Sequence, residues 1–439
     1  MTRPLDALTD QLLGAARKAG ADAADAMAIR GTSVSVDVRG GALEHAERAE
    51  GVDIGLRVFV GQRVANVSAS DTSDDTIAEM ALRAVAMARE APQDDYAGLA
   101  NSADLTQSRD AQALELADPT PEPDATTLEE DARRAEAAAL SVEGISQVSQ
   151  ASAGYGARDV YLAASNGFAG GYARTNRGTS CVAITGSGTQ MERDYAGDSR
   201  IFQGDLRSPE DLGHEAATRA LARRDARKPP TGAFPVLFDE RVASSLIGHL
   251  LSAANGSSIT RGASWLLDAL GEQVLPEGMS LIEDPYLPRK SGSRPFDAEG
   301  LATQRRAIVD NGVLTGWTLD LATARKLNMT STGNAARGTS SGPSPSTWNI
   351  ALSQGTASRA DLLHDMGTGL LVTSMIGATI NPNTGDYSRG AAGHWVENGE
   401  ITHAVNECTI AGNLRDMLHS LVPANDARTH LSRSVPSLL

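Results

Sequence analysis

The chain has 439 residues, only 4% of them aromatic, and a formal net charge of −16 at pH 7. This length allows two or three domains with full hydrophobic cores. A surface of this charge repels phosphate backbones, so we expect no direct binding of nucleic acid. No segment approaches the roughly 20 apolar residues of a membrane helix, and the N-terminus lacks the apolar core of a signal peptide. The two cysteines, Cys181 and Cys408, form no disulfide framework, which favours a reducing, cytoplasmic setting.

Helices and strands alternate in the first half of the chain. Apolar spacing predicts a helix over residues 5–19, and period-two alternation predicts strands at 33–38 and 52–67, the latter broken at Gly61. Further helices are predicted after polar caps. The predicted caps are Thr72, Thr126 and Ser208.

Proline-containing segments divide the chain. Residues 91–124 carry four prolines and few large apolar residues, so we expect an exposed and partly mobile loop. Lys228-Pro-Pro-Thr-Gly232 predicts the domain boundary, with an N-terminal α/β domain at 1–228 and a β-rich domain at 229–439. The predicted fold class is α+β: short strands and helices first, then a β-rich domain with a few helices.

The first candidate for a metal site is His214-Glu215-Ala-Ala-Thr218-Arg219. Zinc peptidases of the HExxH kind need a second histidine one helical turn after the first. Here that position is threonine, followed by an arginine whose charge would oppose a dication. We therefore interpret this segment as a solvated helix face.

The segment Gly377–Leu414 is the most specific stretch of the chain. It predicts two β-runs joined by Asn398-Gly399, a dipeptide that favours a type I′ hairpin. The amino-acid sequence of this segment, and that of the D-N-G-V-L-T-G-W turn at 310–317, resembles the TldD/PmbA family, and the PmbA (TldE) branch in particular. The resemblance also covers the first-domain strands. Family members continue beyond the equivalent of Ser434–Leu439 into a last short strand, so we expect one sheet edge to differ.

The resemblance implies a cytoplasmic TldD–TldE heterodimeric zinc metalloprotease that degrades or trims unfolded peptides. The zinc is expected on the HExxxH helix of the TldD-type partner, with no cofactor in this chain and no activity of this chain alone. The older family label, modulator of DNA gyrase, is interpreted as a genetic consequence and not as a DNA contact.

The same resemblance points to three candidate residues for a peptide groove. The helix predicted at 240–254 corresponds to the metal helix of TldD-type chains, but His249 is its only possible ligand, and a packed histidine is the competing interpretation. The T-G-N segment at 332–334 brings Asn334 and Arg337, whose donors suit peptide carbonyls or a carboxylate. A structural loop capped by Asn334 is equally compatible with the sequence.

Three functional hypotheses remain. The first is a non-catalytic TldE/PmbA-type subunit, and the second is a stand-alone homodimeric peptide-binding or chaperone-like protein. The third, an independent peptidase of unrecognised chemistry, is disfavoured because no ligand cluster is visible. The sequence does not separate the first two, since both need a groove and neither needs a metal.

Overall fold

The fold is α+β, as predicted, and consists of two halves that follow each other along the chain. A computed structural model describes residues 3–439, with only the backbone of Ala378. Among the described helices, none is long and apolar enough to cross a membrane.

The N-terminal half is one six-stranded antiparallel sheet with helices on one face. The strand order is β3-β2-β1-β4-β5-β6. α1 and α2 cover the β1–β3 side of that face, and α3 and α4 cover the β4–β6 side. The elements are α1 (Leu5–Ala19), β1 (Ala23–Arg39), β2 (Ala42–Val60), β3 (Arg63–Ala69), α2 (Asp74–Glu90), α3 (Ala125–Leu140), β4 (Ile145–Ala164), β5 (Ala169–Thr185), β6 (Glu192–Arg200) and α4 (Pro209–Leu221).

The strands of this sheet are longer than predicted. β1, β2, β4 and β5 contain 17, 19, 20 and 17 residues. Alternation is visible at 33–38, where one face of β1 is covered and the other is open. Residues 24–28 are all buried, because α1 and α2 cover one face and the C-terminal half covers the other. A strand buried on both faces loses the period-two pattern that identifies it.

The helices lie where the sequence predicts them, with small shifts at two N-caps. Ser208 caps α4, as predicted. The caps predicted at Thr72 and Thr126 are wrong by one and two residues: Ser73 caps α2 and Asp124 caps α3. Each observed cap accepts a hydrogen bond from the backbone N–H three residues later, which decides the position.

The loop at 91–124 is not exposed throughout, contrary to the prediction. Leu105 packs in a cluster shared by both halves, and Leu114 and Leu116 are buried against the end of the sheet. Arg325, from the C-terminal half, donates hydrogen bonds to three carbonyl oxygens of the loop at 2.7–3.1 Å. The predicted mobility stays a prediction, and these contacts disfavour it.

The C-terminal half contains a six-stranded sheet, a four-stranded sheet and a two-stranded ribbon. The orders are β10-β9-β8-β13-β18-β17, β16-β15-β14-β7 and β11-β12. The elements are β7 (Val236–Phe238), α5 (Glu240–Ala253), α6 (Gly256–Thr260), β8 (Leu281–Glu283), β9 (Arg306–Asp310), β10 (Val313–Leu314), α7 (Leu321–Lys326), β11 (Ala335–Ala336), β12 (Ser344–Pro345), β13 (Ile350–Leu352), α8 (Arg359–Met366), β14 (Gly369–Ile380), β15 (Asp386–Glu397), β16 (Glu400–Asn413), α9 (Leu414–His419), β17 (Arg428–His430) and β18 (Arg433–Val435).

The predicted hairpin between β15 and β16 is confirmed. Asn398 and Gly399 have φ values of 52° and 80°, as a type I′ turn requires. The core of this half contains α5 together with residues of the two larger sheets. The last residues belong to that packing, because Leu438 exchanges backbone hydrogen bonds with Phe238 at 2.7 and 2.9 Å.

The predicted boundary lies in the exposed segment between α4 and β7. Residues 230–235 are exposed, whereas the 91–124 loop is held by the contacts given above. We expect brief digestion with proteinase K to cut first at 228–235, leaving two large fragments, because an exposed connection is the usual site of nicking. Mass spectrometry of the fragments checks this. A first cut within 377–414 would contradict the two-part organisation.

Candidate functional site

His249 lies on α5 with its ring partly buried. The ring packs edge-to-face on Tyr387, with centroids 5.9 Å apart. Its Nε2 atom is buried and has no hydrogen-bond partner among the described residues. Burial, and then the charges of Arg389 and Arg433, lower the pKa of His249, so its imidazole is neutral at pH 7.

The surroundings of His249 do not fit a zinc ion. Catalytic zinc sites use three protein ligands, and the positions one turn away on α5 are Ser245 and Ala253. The charged groups that depress the His249 pKa are two guanidiniums, which would repel a dication. Within the described part of the chain, no group of three or more His, Cys, Asp or Glu side chains is placed to hold a metal ion.

Asn334 belongs to a buried hydrogen-bond network. Its Nδ2 donates to Glu283 Oε1 (2.9 Å) and to the Ser346 carbonyl oxygen (2.8 Å). Glu283 also accepts from the Trp348 N–H (2.6 Å) and from Arg306 Nε (2.7 Å). Asn334 is fully buried, so in this structure its amide donors serve the protein interior.

Arg337 joins the two halves of the chain through a buried ion pair. Its guanidinium binds Asp25 of β1, which also accepts from Arg57 Nε at 2.8 Å. Burial opposes ionisation of Asp25, but the charges of Arg337 and Arg57 outweigh it and lower the pKa of that carboxyl. The loop after Arg337 presses on β2, where a β-carbon at Gly55 would lie 2.1 Å from the Thr339 carbonyl oxygen.

The three predicted residues therefore do not form one site. His249 lies against Tyr387, Asn334 faces the Glu283 network, and Arg337 faces the N-terminal sheet. None of them lines any of four cavities, of about 460–690 Å³, that lie between the two halves. Their role in binding a peptide stays a prediction.

Three buried carboxyl groups lie close to the contact between the halves. Burial, and then the charges of Asp297 and Asp320, raise the pKa of Glu299 to about 8. Burial also raises the pKa of Asp297 to about 6, although three backbone N–H groups donate hydrogen bonds to this carboxyl and act to lower its pKa. Glu299 Oε2 accepts the Leu321 N–H at 2.9 Å, at the start of α7. The site therefore holds a protonated carboxyl near neutral pH.

A large concave surface lies between the open face of the N-terminal sheet and the C-terminal half. We call it the interdomain cleft: four adjoining cavities of about 690, 460, 490 and 550 Å³ that share lining residues. Ser199 and Leu431 are common to the first two, and Arg428 to the last two. Concave surfaces of this size are the usual binding sites of proteins.

Much of its floor is made of small side chains, beside the larger Arg158, Arg174, Asn176 and Tyr195. The helix-covered face of β1 carries Val34 and Val36, and the opposite face carries Ser33 and Ser35. The neighbouring strands continue this row of glycine and serine in register. The small floor residues are Gly31, Ser33, Ser35, Ser152, Gly154, Gly156, Gly178, Ser180, Gly197 and Ser199. Such a floor leaves the sheet backbone open to a ligand.

The segment His214–Arg219 of α4, which the sequence offers as a candidate metal site, forms part of the cleft wall. His214 is exposed, as expected of a solvated face, but Glu215 is not a free surface residue. Its carboxylate lies 2.5 Å from Arg207, 2.6 Å from Arg219 and 4.0 Å from Arg428. One carboxylate thus faces three guanidiniums, an arrangement that spacing along the chain does not reveal.

Comparison with known proteins decides the family. Three consecutive family models match: PmbA/TldA metallopeptidase domain 1 at 24–88, the central domain at 118–224 and the C-terminal domain at 231–439. The chain belongs to the PmbA/TldD metallopeptidase family. This confirms the resemblance found in the sequence, and the PmbA/TldD domain models together cover both halves of the fold.

Relatives in this PmbA/TldD family match over nearly the whole chain. Metalloprotease PmbA of Escherichia coli O157:H7 is 38% identical over 95% of this chain and 91% of its own length. The metalloprotease PmbA homolog of Haemophilus influenzae is 38% identical over 95% of this chain and 90% of its own length.

Solved structures share the fold of this family member. A protein of Bacteroides thetaiotaomicron, described as a proposed modulator of DNA gyrase, superposes with a TM-score of 0.91 at 27% identity, over 98% of this chain and 96% of its own. TldE from Thermococcus kodakarensis superposes with a TM-score of 0.85 at 19% identity, over 98% of both chains. The second likeness is one of fold.

Proposed function

We propose that this PmbA/TldD family member is the non-catalytic, TldE/PmbA-type subunit of a two-chain zinc metallopeptidase that acts on unfolded peptides. The zinc and its general base belong to an HExxxH-bearing TldD-type partner, and the complex works in the cytoplasm. The observation that carries the proposal is α5. Its only histidine, His249, has Ser245 and Ala253 one turn away and two guanidiniums nearby, where a zinc helix needs further ligands.

The names of the relatives support the metallopeptidase part of the proposal, because E. coli and H. influenzae PmbA are both called metalloproteases. The division of labour rests on the residues of this chain. A chain that supplies no zinc ligands contributes to proteolysis by holding the substrate or by enclosing the partner's site.

The test uses this chain alone, an HExxxH-bearing family member of the same organism alone, and the co-expressed pair, all without affinity tags. We expect zinc, measured by mass spectrometry of metals, at about one equivalent in the partner and well below that in this chain. We expect cleavage of a carboxymethylated, unfolded protein by the pair only. The matched control replaces the glutamate of the partner's HExxxH by glutamine, which removes the general base and keeps the fold.

One tightly held zinc per chain, with peptide cleavage by this chain alone, would overturn the proposal. Cleavage by the partner alone at the rate of the pair would show that this chain is dispensable. A second candidate function is a stand-alone, homodimeric peptide-binding protein without protease activity. The interdomain cleft favours it, because its cavities of about 460–690 Å³ offer a ligand a concave surface on this chain.

A further inference from the structure

The wall of the interdomain cleft is basic although the whole chain is acidic. The cavity between β6 and β17 is lined by five cationic side chains and two carboxylates. The formal charge of the chain is −16, so this concentration of positive charge is local. The cations are Arg200, Arg207, Arg219, Lys290 and Arg428, and the anions are Asp198 and Glu215.

Two of these cations are available to a ligand. Lys290 has no ion-pair partner among the described residues. Arg428 has a side chain that is 64% exposed, and its closest carboxylate, Glu215, lies 4.0 Å away and is already bound by two other arginines. Charges that lack a close partner can pair with an incoming carboxylate without breaking an existing bond.

The backbone around these cations is also available. β6 pairs only with β5, and β17 pairs only with β18, so each strand has an edge without a partner strand in the described part of the chain. On β6, the Tyr195 carbonyl oxygen accepts a hydrogen bond from Arg219 Nη1 at 3.0 Å. Both strands line the same cavity, through Gly197 and Asp198 of β6 and Thr429 and His430 of β17. A free edge accepts an extended polypeptide through main-chain hydrogen bonds, whatever its side chains.

We propose that the interdomain cleft binds an extended acidic polypeptide segment, whose Asp or Glu side chains pair with Lys290 and Arg428 while its backbone adds to the free edge of β6. This proposal rests on the proposed function. It adds that the bound peptide is acidic and that it lies along β6. The Gly and Ser floor leaves room for the backbone, and the basic wall selects the side chains. A single-stranded nucleic acid is the competing polyanion, but it lacks the regularly spaced main-chain N–H and C=O groups with which a free strand edge pairs.

The test measures binding to the full-length chain by fluorescence anisotropy. The probes are three decapeptides of repeating Gly-Glu, Gly-Gln or Gly-Lys, labelled at the N-terminus and amidated at the C-terminus so that no free carboxylate remains at the ends. We expect the Gly-Glu peptide to bind about tenfold or more tightly than the Gly-Gln peptide, with an affinity that falls as salt rises. The Gly-Lys peptide should bind most weakly.

The decisive variant is Lys290→Glu with Arg428→Glu. Its matched control is Lys18→Glu with Arg83→Glu, which makes the same change of net charge at exposed residues on the opposite, helix-covered side of the sheet. The cleft variant should lose the preference for the acidic peptide, and the control should keep it. Circular dichroism and thermal unfolding confirm that both variants are folded.

Equal affinities for all three peptides, or equal losses in the cleft variant and the control, would overturn the proposal. So would tighter binding of a labelled single-stranded oligonucleotide, measured in the same way. The failure of the proposed function is separate: if the pair with the HExxxH partner cleaves nothing but the acidic preference persists, the cleft site stands and the peptidase assignment falls. If the pair cleaves the unfolded protein but this chain shows no preference for the acidic peptide, the peptidase assignment stands and the cleft site falls.

Discussion

Asp25→Asn is expected to lower the free energy of unfolding by about 3–5 kcal/mol, the usual cost of removing one partner from a buried ion pair. The substitution keeps the shape of the side chain but leaves two guanidiniums, on Arg57 and Arg337, buried with no carboxylate between them. Their side chains are only 9% and 1% exposed, so water cannot take over the role of Asp25.

Urea unfolding, followed by fluorescence and circular dichroism together, measures this loss. Arg337→Met is expected to lower the free energy of unfolding by less, because Arg57 still neutralises Asp25. The double variant Asp25→Asn with Arg337→Met should be more stable than Asp25→Asn alone, because one of the two unpaired guanidiniums is gone. Asp268→Asn, at an exposed aspartate, is the matched control. A loss no larger than that of the control would mean that this ion pair contributes little to holding the two halves together.

Glu299→Gln is expected to remove a pH-dependent loss of stability on the order of 3 kcal/mol between pH 5.5 and pH 8. The pKa of Glu299 is raised to about 8 in the folded protein, from an ordinary value of 4.5. A carboxyl whose pKa is raised by folding stabilises the protein fully below its unfolded pKa. That stabilisation is lost as the pH rises through the folded pKa, because the buried group must then ionise beside Asp297 and Asp320.

The measurement is the free energy of unfolding of both proteins at several pH values in this window. The glutamine keeps an oxygen that can accept the Leu321 N–H, so its own fold should survive. Because other carboxylates also titrate, only the difference between variant and native protein is used. Glu277→Gln, at an exposed glutamate, should follow the native curve. If Glu299→Gln does so too, Glu299 is already ionised at pH 5.5 in the native protein.

Local features of this fold could be predicted from the sequence, because their causes are local. The helix α1, the Ser208 cap and the Asn398-Gly399 turn each depend on residues within a few positions of one another. The family could also be predicted, since the sequence of Gly377–Leu414 is specific for it.

The site was harder to predict, because its residues meet only in the folded chain. Arg337 was interpreted as a free donor, whereas its partner Asp25 lies 312 positions earlier. The interdomain cleft was missed because Gly and Ser residues on four strands carry no signal singly. The one clue was the alternation in β1 at 33–38, where valines occupy one face and only Ser33, Ser35 and Asp37 the other.

The long pairing of β1 with β4 has a consequence for how the molecule folds. Fourteen residue pairs join these strands, from Asp25–Ala164 to Val38–Ala151, and they connect the first family domain to the central one. Neither domain can close its sheet alone, because each would expose one side of a strand that the other covers. We therefore expect the two segments matched by separate family models to acquire their native structure together, and either one in isolation to expose a strand edge that favours aggregation.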